Sequence, residues 1–79
     1  MTRQDRRDWE IVDKGRGLWM SPQTGRRGVW DVTIEGVERL GSVYTEKSGS
    51  FRALPHEQAK PLPRVYRTKE EAARGLLSA

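Results

Sequence analysis

Seventy-nine residues with 15 Lys and Arg against 11 Asp and Glu, a net charge of +4, make a single small domain, and a chain of this size buries only about 60% of its unfolded surface. The absence of cysteine excludes disulfides and thiolate metal sites and fits a reducing cytosol. The charged start Met1-Thr-Arg-Gln-Asp-Arg-Arg-Asp8 has no apolar run behind it, so the expectation is a cytoplasmic protein with neither a secretory leader nor a membrane anchor.

In chain order, residues 1–8 hold nothing that could anchor them to a core and read as a flexible, solvated arm, leaving 9–79 as one small α+β domain. Trp9-Glu-Ile-Val-Asp13 is a short apolar run suited to an edge strand or a tie onto the core. The following stretch to Gly28, with four glycines and Pro22, reads as a long loop or an irregular hairpin. Val29 to Ile34 alternates, with Trp30, Val32 and Ile34 on one face and Val29, Asp31 and Thr33 on the other, the signature of a half-buried strand. Glu35-Gly36 supplies a hairpin turn, with the glycine available for positive φ, and Glu38 to Glu46 returns as the next strand.

Lys47-Ser-Gly49 makes a further turn before the strand Ser50 to Leu54, in which Phe51 and Ala53 share a face and Arg52 takes the other. Pro55, Pro61 and Pro63 exclude helix from the connector that follows. Val65-Tyr66-Arg67 is again extended. Thr68, with Glu71 three residues on, forms a capping box for a helix that carries Ala72, Ala73, Leu76 and Leu77 as an apolar stripe. Lys69, Glu70 and Arg74 are expected to face water. At about ten residues the helix is marginal alone and gains its stability by packing on the sheet. The predicted fold is an antiparallel three- to four-stranded β-meander with one C-terminal helix on one face.

The succession Leu40-Gly-Ser-Val43, Gly49-Ser-Phe51-Arg-Ala53 and Tyr66-Arg-Thr-Lys-Glu-Glu-Ala-Ala-Arg-Gly-Leu-Leu77 resembles the arm-type DNA-binding domains of phage tyrosine recombinases, which share their shape with plant AP2-type domains. It is also similar to short proteins of actinobacteria and their phages. The resemblance covers about residues 38–77. It implies that the sheet face opposite the helix, here Ser42, Tyr44, Arg52, Asp31 and Thr33, enters the major groove of DNA.

Charge points to a different part of the chain. Residues 1–30 carry +3, 31–50 carry −2 and 51–79 carry +3. A groove-reading face with one Arg beside Asp31, and with Glu35 and Glu46 near its rim, is poor in phosphate-binding charge. The arm and first loop, with Arg3, Arg6, Arg7, Arg16, Arg26 and Arg27 and with Trp19 available to stack, are richer. The expected nucleic-acid contacts are therefore Arg6, Arg7, Arg16, Trp19, Arg26, Arg27 and Arg52, in a DNA-binding accessory or regulatory protein of phage type. The alternative is a protein-binding or homodimerising module that uses an exposed Trp9, Trp19 and Met20 with a sheet edge.

No motif supports catalysis. His56 is the single histidine, in a proline-bounded loop, so neither a zinc site nor a nucleophile–His pair can be assembled. Gly25-Arg-Arg-Gly28 has the form of a KH phosphate loop but lies before a strand rather than between helices. Asp5, Asp8, Glu10 and Asp13 fall in a segment expected to be exposed, without the burial that tunes acid–base groups. The expectation is a non-enzymatic protein with no cofactor, metal, membrane or small-molecule substrate.

Overall fold

A computed structural model describes residues 9–35 and 38–78. Five strands, β1 (Glu10–Asp13), β2 (Leu18–Pro22), β3 (Val29–Ile34), β4 (Glu38–Thr45) and β5 (Phe51–Pro55), precede the helix α1 (Lys69–Leu77). They form one antiparallel sheet in the order β1-β2-β3-β4-β5. The predicted α+β meander with its C-terminal helix is present, with five strands rather than three or four.

The additional strand is β2, inside the segment read as loop or irregular hairpin. Its alternation is real but compressed into five residues between glycine and proline. Leu18 and Met20 are fully buried, and Trp19 between them is half-buried. Pro22 can be accommodated because it closes the strand, where a missing N–H costs no central ladder bond. A single 3-10 turn, Lys14–Arg16, joins β1 to β2, with the Asp13 side chain accepting from Arg16 N at 3.3 Å. In the β3–β4 turn Glu35 has a positive φ, 56°; Gly36, expected to have one, lies outside the described residues.

The core sits between the sheet and α1, where Val12, Leu18, Met20, Val32, Val43 and Ala53 meet Ala72, Ala73 and Leu76. Alanines on both β5 and α1 let the helix backbone approach the sheet closely, which suits a core this thin. Trp30 and Phe51, with ring centroids 6.0 Å apart, close one side of it. The capping box forms as expected on its Thr68 side, where Thr68 Oγ1 accepts from Glu71 N at 3.1 Å. Tyr66 bridges the β5 edge through reciprocal backbone bonds with Phe51, both 2.8 Å.

Two helix side chains predicted to be merely solvated have structural partners. Arg74 Nη2 donates to the Val12 carbonyl at 3.0 Å. Lys69 Nζ lies 3.1 Å from Glu10 Oε1 and 4.8 Å from the Trp30 ring centroid. Both tie the helix toward β1 or β3, across the chain from its own neighbours.

A bulge in β4 decides what the uncovered face displays. Thr33 pairs with Arg39 and Val32 with Gly41, so Leu40 is the extra residue and the alternation resets across it. Gly41 is required at this point. Its φ is 153°, and a Cβ there would overlap the Leu54 carbonyl oxygen.

Candidate functional site

Because paired residues in an antiparallel sheet point to the same side, the strand registers arrange the face away from α1 in three rows. One row runs Ile11, Trp19, Thr33, Arg39; the next runs Ser21, Asp31, Ser42, Leu54; the third runs Val29, Tyr44, Arg52. Ser42, Tyr44, Arg52, Asp31 and Thr33, the five positions expected on this face, all lie there. Arg39 joins them. Strict alternation back from Ser42 and Tyr44 would have turned it toward the helix, and only the bulge at Leu40 brings it out; the Leu-Gly pair at the break was the available sequence signal.

The face divides by chemistry. Its aromatic part, on β1 and β2, has Trp9 and Trp19 edge to face at 6.2 Å between centroids, beside Ile11, which is 52% exposed. Its charged part lies on β3, β4 and β5. There Asp31 Oδ1 accepts from Arg39 Nη2 at 2.7 Å, from Gln23 Nε2 at 2.8 Å and from Ser42 Oγ at 3.3 Å. Arg52 Nε stands 2.8 Å from Glu46 Oε1, as an ion pair whose N–H is not aimed for a hydrogen bond, and its Nη1 reaches the Leu62 carbonyl at 3.5 Å. The face expected to be poor in phosphate-binding charge gains a second arginine, and each of its two arginines is matched by one carboxylate.

Among the described residues, the predicted basic cluster falls into two separate places. Arg16 belongs to the turn between β1 and β2, whereas Arg26 and Arg27 belong to the β2–β3 loop at the other end of β2, roughly 17 Å away for a five-residue strand. Arg16 also lies 3.8 Å from Asp13. Arg26 and Arg27 are exposed at the end of the sheet that also carries the exposed Lys47, since the Gly28 carbonyl accepts from Thr45 N at 2.8 Å and holds the two loops side by side. Arg3, Arg6 and Arg7 lie outside the described residues, as does the rest of the predicted arm, 1–8.

Met20 is corrected outright. It is fully buried beneath the helix and cannot join Trp9 and Trp19 on a partner surface. Its neighbour Trp19 occupies the opposite side of the strand, so adjacency in sequence placed the two on different faces.

Among the described residues no three of His, Cys, Asp and Glu are grouped to hold a metal ion, and no helix is long and apolar enough to cross a membrane. No protein-family model matches the chain, and neither does any curated protein or solved structure.

Proposed function

We propose that the protein is a small non-enzymatic DNA-binding module that lays the β3–β5 part of its uncovered face on the duplex, with Arg26 and Arg27 holding phosphates at one end. The carrying observation is the segregation of charge on that face: Asp31, Arg39, Arg52 and the neighbouring Ser42 and Tyr44 all belong to β3, β4 and β5. Three adjacent strands, about 10 Å between their outer axes, present a far narrower front to a major groove about 12 Å wide than the whole five-stranded sheet, at about 19 Å. Arg26, Arg27 and Lys47 continue the strip with cations that no carboxylate offsets among the described residues. The net charge of +4 favours a polyanionic partner. Resemblance to the arm-type recombinase domains supports the same reading and an accessory role of phage type, and the absence of cysteine fits a cytoplasmic setting.

Fluorescence anisotropy with a labelled duplex tests this directly. Binding at low ionic strength should weaken linearly with added salt on logarithmic axes. Failure to bind any duplex at low salt would rule the reading out.

A second reading draws on the Trp9–Trp19 pair and Ile11 beside the edge strand β1. Such an apolar corner suits a protein partner or a second copy of the chain. Trp19→Ala should then shift the oligomeric state or abolish partner capture without altering DNA affinity; a monomer indifferent to the change counts against it.

A further inference from the structure

We infer that Arg39 reads a guanine base rather than holding a phosphate, with Asp31 as the residue that positions it; the inference rests on the DNA-binding reading above. The two kinds of arginine on this molecule differ in their company. Arg26 and Arg27 are exposed and have no acidic partner among the described residues. Arg39, with a side chain 46% exposed, is held at 2.7 Å by a carboxylate that is itself fixed by Gln23 and Ser42.

That difference selects between ligands. A phosphate brought to Arg39 would also be brought to the negative charge of Asp31, and the pair together offers it almost no net attraction. A guanine edge is neutral and presents two acceptors, O6 and N7, that match the parallel donors of a guanidinium. Recognition of this kind needs orientation more than charge. Nη2 of Arg39 gives one N–H to Asp31, which leaves its second N–H parallel to that of Nε or of Nη1 as a fork for the base, with the side chain already restrained. Restraint before binding reduces the rotamer entropy lost on contact. The donors to Asp31 come from the β2–β3 loop and from β4 on either side of the bulge, so the carboxylate is braced from two directions.

The test is selection of a preferred site from a randomised duplex pool, followed by affinity measurements on that site with each guanine replaced in turn by 7-deazaguanine, which lacks N7. The wild-type protein should lose roughly tenfold to a hundredfold at one guanine. Arg39→Met, which removes every donor and keeps an unbranched side chain, should bind the normal and 7-deaza sites equally. Asp31→Asn should also lose discrimination while binding unrelated sequences at least as tightly as wild type, because a repulsive charge has gone. Thermal unfolding of both variants checks that the surface changes leave the fold intact.

Three results would overturn the inference. One is a wild-type protein with no preference for any guanine. Another is an Arg39→Met variant that keeps the wild-type penalty for 7-deazaguanine. The third is an Arg39→Ala variant weakened uniformly on all sequences with a shallower salt dependence, as for a phosphate contact. Each of these leaves DNA binding itself standing, whereas absence of binding to every duplex removes both the reading and the inference.

Discussion

Tyr66 and Gly75 are fitted to each other: the tyrosine hydroxyl occupies the space a Cβ on Gly75 would need, and that Cβ would lie 2.7 Å from the ring carbon that bears the hydroxyl. A glycine inside a nine-residue helix costs about 1 kcal/mol relative to alanine. This position retains it because Tyr66 is pinned by two backbone bonds to Phe51 and has Arg64 5.4 Å from its ring centroid. Gly75→Ala therefore sets a gain in helix propensity against overpacking, and overpacking typically costs about 1–3 kcal/mol. A net loss of stability of about 1 kcal/mol is expected by urea denaturation. In a Tyr66→Leu background the same change should be neutral or stabilising, and equal effects in both backgrounds would show that the contact is not what selects glycine.

Thr68 governs how α1 starts. Its hydroxyl satisfies the Glu71 N–H, one of the helix's otherwise unpaired donors. Thr68→Ala should cost about 1 kcal/mol and Thr68→Asp close to nothing, with the difference read from denaturation midpoints. Because the helix supplies Ala72, Ala73 and Leu76 to the core, the loss should appear as reduced global stability rather than fraying confined to the C-terminus.

Met20 separates packing from recognition. With no exposed surface on the helix-covered side of β2, Met20→Ala should cost about 2–5 kcal/mol, a large fraction of what holds a domain of this size together. Met20→Leu, close in volume, should cost less than about 1.5 kcal/mol and leave any partner binding unchanged. Altered binding in the stably folded leucine variant would return Met20 to the surface argument.

These residues also mark where sequence reasoning works. Alternation identified the sides of β3, and the Thr68–Glu71 spacing located the helix start, because both follow from repeats set by the backbone alone. β2 escaped because five residues between turn formers give too short a pattern to outweigh Gly17 and Pro22. Met20 was misassigned for the same reason: without a strand there was no parity to separate it from Trp19. Arg39 escaped for a different reason. A bulge shifts every residue before it by one position, and the break at Leu40 depends on Gly41 meeting Leu54 across the sheet, a tertiary contact invisible locally. The described members of the basic cluster divide by geometry: Arg16 and Arg27 are near in sequence, but a strand between them carries them to opposite ends.

That separation yields a prediction on binding. If phosphates are held at the β2–β3 end of the sheet, Arg26 and Arg27 each neutralise about one of them, and each contact contributes about 0.9 to the slope of log affinity against log salt. The double change Arg26→Ala, Arg27→Ala should therefore flatten the slope by about 2 and weaken binding on all duplex sequences alike. Arg16→Ala removes the same charge from the far end of β2, where Asp13 already offsets it, and should leave the slope within about 0.3 of wild type. Anisotropy titrations at four or more salt concentrations resolve the two cases. Equal flattening by Arg16→Ala and by either loop arginine would mean that binding follows net charge alone, and that the strip from Arg26 and Arg27 along β3–β5 does not define the contact.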